Sequence, residues 1–223
     1  MKANANVDMD LLAYLEGFIT PERKERFLQV LSLRTRFLTV ALEDVYQLHN
    51  ASAVIRSCDV FGVQDVHLIE GRYGQPLDKN IAMGAQQWVD IHRHETTAKC
   101  IRSLRERGYQ IIATIPGKSA IALPDFELTC PTALLFGTEK EGLSPQALQE
   151  ADQAVYIPMY GFTESLNVSV AAAIILQQLS TRLRQSGLSW QLTGKEMLEK
   201  RFDWTCKTIH SVEEIIERYR DIS

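Results

Sequence analysis

Residues 154 to 176, AVYIPMYGFTESLNVSVAAAIIL, constrain the fold more than any other stretch. A short apolar run starting at Ala154 breaks at Pro158 and Gly161. It crosses a polar loop holding Thr163, Glu164, Ser165 and Asn167, then enters a strongly apolar helix without a spacer. Ser165 is the expected N-cap, its hydroxyl accepting from a backbone N–H one turn in. Gly187, behind Arg182 and Arg184, is the expected end, so a helix is predicted over about 166 to 186. Val168, Val170, Ile174, Ile175 and Leu176 leave little polar face in its first turns, so a sheet or a second subunit must cover that half. The run is too short to span a bilayer.

Around that stretch, strand-like and helix-like segments alternate. Residues 37 to 43 (FLTVALE) have the β-branched and aromatic content of a strand. A helix over 51 to 61 stops at Gly62, and 63 to 69 is the next strand, which makes a parallel βαβ unit. A helical piece is expected over 77 to 85, a strand over 87 to 92, and an amphipathic helix over 96 to 107 ending at Gly108. A strand over 109 to 115 is stopped by Pro116-Gly117, and after a loose connector of about fifteen residues comes another over 132 to 136. Ser144-Pro145 then opens a short helix. The core is therefore expected to be α/β with a mostly parallel sheet and helices on both faces. The domain reading is 37–187 for this core, with helical extensions over 1–36, where Thr20-Pro21 marks a helix start, and 188–223.

With 223 residues, 45% of them apolar and 23% charged, the chain can bury one sizeable core, which excludes disordered and fibrous classes. No basic head precedes an apolar stretch near Met1, so the cytoplasm is the expected location and no membrane is expected as a partner. Cys58, Cys100, Cys130 and Cys206 stand far apart with no C-x-x-C, which reads as four separate thiols and no metal. The net charge of −4 counts against a polyanionic partner globally. Locally, Arg23, Lys24, Arg26, Arg34 and Arg36 face only Glu22 and Glu25, five against two, a local +3 that reads as a phosphate-holding patch or a solvated helix face.

In open parallel sheets, ligands bind beyond the carboxyl ends of the strands. Three loops leave strand ends here: Thr114-Ile115-Pro116-Gly117, Gly137-Thr138-Glu139-Lys140-Glu141-Gly142, and Ile157-Pro158-Met159-Tyr160-Gly161. The second has the glycine spacing of a phosphate loop, but Leu143 stands where Lys is needed ahead of Ser144, and two glutamates repel phosphate. No G-x-G-x-x-G follows a strand and no G-x-S-x-G or H-E-x-x-H occurs, which removes dinucleotide, hydrolase and zincin readings. Carboxylate and backbone carbonyls suit a neutral or cationic ligand. Taken alone, Arg56 reads as the partner of Asp59, His49-Asn50 as a helix cap, and His92 and His94 as a solvated strand edge.

Taken together, Asn50-Ala-Ser-Ala-Val-Ile-Arg56-Ser-Cys-Asp59, Leu135-Phe-Gly-Thr-Glu-Lys-Glu-Gly142, and Ile157-Pro-Met-Tyr-Gly161 with Ser165-Leu-Asn-Val-Ser169 stand in the order and spacing of one family. Over about residues 36 to 187 the chain resembles the SpoU/TrmH family of SPOUT RNA 2'-O-ribose methyltransferases. The resemblance implies S-adenosylmethionine as methyl donor, a C-terminal trefoil knot, and a homodimer with tRNA as substrate, its D-loop guanosine the expected target. Ribosomal RNA methylation and a non-catalytic knotted RNA-binding dimer are the competing readings.

By position, the resemblance implies a cofactor site of Thr114, Ile115, Gly137, Thr138, Glu139, Gly142, Ile157, Met159, Ser165, Leu166 and Asn167. It implies catalytic roles for Arg56, Asn50 and Asn167. Arg23, Lys24, Arg26, Arg34, Arg36 and His49 are the expected RNA contacts. Two roles are open to Arg56. As a general base it would have to give up a proton that guanidinium groups keep; as a cation it would hold a phosphate or the developing alkoxide. The family's tRNA enzymes carry Lys-Pro before His-Asn and Gln before Ser-Leu-Asn, where this chain has Gln47-Leu48 and Glu164.

Overall fold

The structure, a computed structural model, describes residues 7–45, 47–71, 84–117 and 119–222. The chain begins with α1 (Met9–Glu16), capped by Asp8, and α2 (Pro21–Leu31), where the Thr20 hydroxyl accepts from the Arg23 N–H and Pro21 occupies the first turn. The α/β part follows as β1 (Leu38–Glu43), α3 (Leu48–Phe61), β2 (Asp65–Ile69), β3 (Asp90–His94), α4 (Thr97–Glu106), β4 (Gln110–Thr114), β5 (Ile121–Ala122), β6 (Thr132–Phe136), α5 (Pro145–Glu150), β7 (Gln153–Tyr156) and α6 (Val168–Gln185). Two further helices, α7 (Gly194–Thr208) and α8 (Val212–Ile222), close the chain.

Among the described residues the named strands lie in one seven-stranded sheet of order β3-β2-β1-β6-β4-β7-β5, and every pairing between them is parallel. A parallel sheet must be covered on both faces, and β1, β2 and β6 are accordingly buried along their whole length. Leu38, Val40 and Leu42 of β1 point to the side of α3 and α6, where Val54, Ile55, Ala172, Ile175 and Leu179 meet them. Ala41, Ile111, Ala133 and Leu135 face the other way, onto Ile101 and Leu104 of α4 and Ala147 of α5. Each such Leu, Ile or Val side chain contributes about 1.5–3 kcal/mol by leaving water.

The expected α/β architecture is the one observed, with local differences. Helix α6 starts at Val168, and its N-cap is Asn167 instead of Ser165: the Asn167 Oδ1 accepts from the Ser169 N–H at 2.8 Å. Helix α3 begins three residues earlier than expected, so His49 and Asn50 lie inside its first turn and do not cap it; Gly62 ends it at φ 79°. Strand β3 is displaced toward its C-terminal side, because residues 85–87 form a short 3-10 turn and Asp90 is the residue that pairs with Asp65. The connector after β4 carries β5 and a buried Leu123 and Phe126. Of the helix expected over 77 to 85, residues 77–83 lie outside the described residues.

By contacts the chain forms two compact units, Thr35–Trp190 and a second assembled from the two ends, up to Arg34 and from Gln191. In the second unit Trp204 is 1% exposed and meets the Phe27 ring edge-on at 5.7 Å. Glu16 of α1 accepts from Arg201 of α7 and pairs with Lys24 of α2 at 2.5 Å. Among the described residues no helix is long and apolar enough to cross a membrane.

Candidate active site

The sheet order sets β1, β6, β4 and β7 side by side, so their carboxyl ends open onto one region. There the loops after β4, β6 and β7, together with the start of α6, line a cleft of about 450 Å³. Every residue of the expected cofactor set except Asn167 lines it: Thr114, Ile115, Gly137, Thr138, Glu139, Gly142, Ile157, Met159, Ser165 and Leu166. Phe136, Leu143, Val155, Val168 and Ile175 add apolar wall.

The loop after β6 folds back on itself through paired backbone bonds between Thr138 and Gly142, at 3.0 and 3.1 Å. A Cβ on Gly137 would stand 2.1 Å from the Gly142 carbonyl carbon, and Gly142 has φ 70°, so both positions need glycine. At its far end the loop is tied by Glu43, the last residue of β1. Its carboxylate accepts from the Ser144 N–H at 2.7 Å, the Ser144 hydroxyl at 2.6 Å and the Thr97 hydroxyl. Ser144 in turn caps α5. No motif marked Glu43; a charged residue closing an otherwise apolar strand was the only signal.

Asn50 is 2% exposed and joins three distant segments. Its Nδ2 donates to Glu139 Oε1 at 2.5 Å and to Gln47 Oε1 at 3.0 Å, while its Oδ1 accepts from Asn167 Nδ2 at 3.2 Å. Asn167 therefore spends its oxygen on the α6 cap and its nitrogen on Asn50. The network holds Glu139, whose residue is part of the cleft lining, so that a carboxylate is offered there, an environment suited to a cationic ligand.

Arg56 is exposed. Six residues beyond Asn50, it lies about 9 Å along α3 and about 120° around it, facing away from Asn50's network. It shares a face with Val60, which is 68% exposed. Of the expected RNA contacts, Arg23, Arg26 and His49 are exposed. Lys24 pairs with Glu16. Arg34 is corrected: it is 1% exposed, its guanidinium 5.4 Å from the Trp204 ring centre. Arg36 is also corrected, since it donates to Asp65 and, at 2.8 Å, to Asp90, so carboxylates already occupy it. Burial alone would raise Asp65, but the bond from His92, the charge of Arg36 and the bond from Arg107 hold it well below the usual carboxylate range.

A parallel sheet with a cleft at its strand ends, apolar-walled, holding the Glu139 carboxylate and lacking a phosphate loop, defines an α/β domain suited to a nucleoside-sized ligand. The chain belongs to the SpoU rRNA Methylase family, whose model matches residues 37–177. It is 41% identical over 185 residues to a tRNA (guanosine(18)-2'-O)-methyltransferase of Borreliella burgdorferi, covering 83% of this chain and 85% of that one. It is 36% identical over 170 residues to the enzyme of the same name from Escherichia coli K12, covering 76% and 74%. Among solved structures, the A. aeolicus TrmH/SpoU tRNA modifying enzyme superposes with a TM-score of 0.75 at 31% identity, covering 85% of this chain and 98% of that one. The SpoU methyltransferase AviRb from Streptomyces viridochromogenes, solved in complex with AdoMet, superposes with a TM-score of 0.62 at 25% identity, covering 71% and 65%.

Proposed function

We propose that this chain is an S-adenosylmethionine-dependent tRNA 2'-O-ribose methyltransferase whose target is the D-loop guanosine, the reaction named for its relatives. The hydrogen-bonded set Asn50, Glu139 and Asn167 carries this reading, because it joins into one wall the three segments on which the family resemblance rests. The residues present fit the donor. Ile115, Ile157, Met159 and Leu166 offer apolar surface for an adenine ring, strand-end backbone groups offer hydrogen bonds, and Glu139 offers a carboxylate near a cationic centre. When bound, the donor supplies a sulfonium methyl group.

The chain's own part is positioning, which can lower such a barrier by several kcal/mol. Asn50 and Asn167 hold the loop after β6 against the start of α6, which fixes the cleft's width. Arg56 binds the phosphate beside the target ribose or the charge growing on its 2'-oxygen. Because Arg56 faces away from its own chain's network, the complete site takes Arg56 from a second copy. Val60 on α3 and Val170 and Ile174 on α6, exposed by 68%, 46% and 38% on two helices packed together, support a homodimer through this face. Insertion of β6 between β1 and β4 supports the trefoil knot. Residues 35–190 would form the catalytic domain, while Arg23 and Arg26 of the helical unit and His49 hold tRNA phosphates. The cytoplasm, where tRNA is modified, is the proposed location.

Transfer of labelled methyl to unmodified tRNA and to ribosomal RNA, followed by nucleoside mapping, tests this. The expected result is 2'-O-methylguanosine in the tRNA D-loop. Arg56→Ala should lose on the order of 10²-fold or more in rate with donor affinity kept by calorimetry. Transfer to ribosomal RNA alone, or full activity in Arg56→Ala, contradicts the assignment.

A further inference from the structure

On the sheet face opposite α3 and α6, beneath α4, lies a cluster that methyl transfer does not use. His67 of β2 pairs in register with His92 of the edge strand β3, and Ile69 with His94, so the three imidazoles share a face. The His67 ring stacks on both neighbours, with centres 4.7 Å from His92 and 5.1 Å from His94. Its Nδ1 is 2.9 Å from His94 Nε2. His67 is 1% exposed, yet its Nε2 has no hydrogen-bond partner among the described residues. Cys100 of α4 is 0% exposed and turned to the same place: one donor atom each from His67, His94 and Cys100 lie within 4.8 Å of one another.

We propose that His67, His94 and Cys100 form a binding site for a thiophilic divalent cation of the zinc type. Two imidazoles and a thiol are the donor set that such an ion selects. With metal–nitrogen and metal–sulfur bonds of about 2.0–2.3 Å, tetrahedral ligands sit about 3.3–3.6 Å apart. The His67–His94 pair must open by a few tenths of an ångström and Cys100 draw in, movements within reach of side-chain rotation.

The balance is simple. The His67–His94 hydrogen bond breaks and its proton passes to the outer nitrogen of the ring that held it, so each neutral imidazole binds through a bare nitrogen; Cys100 releases its thiol proton to solvent, and nothing is oxidised. Without the ion, burial and the nearby Glu43 carboxylate push the Cys100 thiol up to about 12, so it stays protonated. Half-buried His94 on the edge strand is the side from which the ion, and a water as fourth ligand, would enter. The ion would fasten β3 and α4 to β2. Sequence spacing could not show this, because the three residues lie on three elements.

The test uses the full chain, tag-free and stripped with a chelator, titrated with Co²⁺ alone and then with Zn²⁺. One cobalt per chain is expected, with a thiolate-to-cobalt charge-transfer absorption that zinc displaces and a higher melting temperature. Cys100→Ser should abolish the absorption, while Cys130→Ser and Cys206→Ser keep it. His94→Asn should weaken cobalt binding about tenfold or more, and it decides the question if Cys100→Ser fails to fold. Absence of stoichiometric binding, an absorption surviving Cys100→Ser or lost in the other two cysteine variants, or unchanged affinity in His94→Asn overturns the site.

Discussion

Asn50 uses three of its four hydrogen-bonding capacities on Gln47, one turn before it, and on Glu139 and Asn167, brought from far along the chain. Truncation strands the Asn167 amide and the carboxylate of Glu139, a residue of the cleft lining. Asn50→Ala should therefore cost about 1–3 kcal/mol and lower the melting temperature by a few degrees, with weaker donor binding in calorimetry. An unchanged melting temperature and affinity would remove Asn50 from the wall. Local reasoning made Asn50 a helix cap and Arg56 the partner of Asp59. Both readings consider only neighbours in sequence, whereas the Asn50 amide also bonds Glu139 and Asn167, far along the chain. The same applies to Arg34 and Arg36, whose charge was legible while their burial and carboxylate partners were not.

At the scale of elements, helix and strand types followed from period and punctuation, and their ends followed where capping was local. Thr20, Thr96, Ser144 and Gly62 lie where the sequence put a start or a stop. The start of α6 was misread because Ser165 and Asn167 are both competent caps, and the bond from Asn167 to Asn50 selects the second. The loop after β6 depends on a contact that no propensity reveals. Gly137→Ala would drive a methyl group into the backbone of Gly142, so the Thr138–Gly142 closure must open. Donor affinity should fall by tenfold or more, with the sheet intact by circular dichroism; affinity equal to that of the unmodified chain would show that the loop does not shape the cleft.

At the scale of the molecule, the two units respond to different perturbations. In the helical unit, burial alone would raise Glu16, but Arg201 and Lys24 outweigh it and hold the carboxyl below its ordinary value of 4.5. A carboxylate lowered in the folded state contributes stability above its unfolded value and loses it as pH falls through the folded one. Melting followed from pH about 7 to about 3 should show acid destabilisation beginning below about 4.5, and Glu16→Gln should flatten that part of the curve. In the α/β unit, Ile174→Lys places a charge on the exposed α6 face while sparing the chain's own core. Sedimentation should then show a monomer, and methyl transfer should be lost; a dimer with full activity would move the interface elsewhere.

By itself the sequence determined the alternation of strand and helix, the parallel sheet it requires, the three strand-end loops and the residue types around the cleft. These rest on periodicity, caps and breakers, which act within a few residues. Only the tertiary structure decided the strand order that lays those loops side by side, the pairing of Asn50 with Glu139 and Asn167, the anchoring by Glu43, and the burial of His67 against His94 and Cys100. Each is a contact between residues far apart in the chain, and its free energy exists only once the sheet has brought them within a few ångströms.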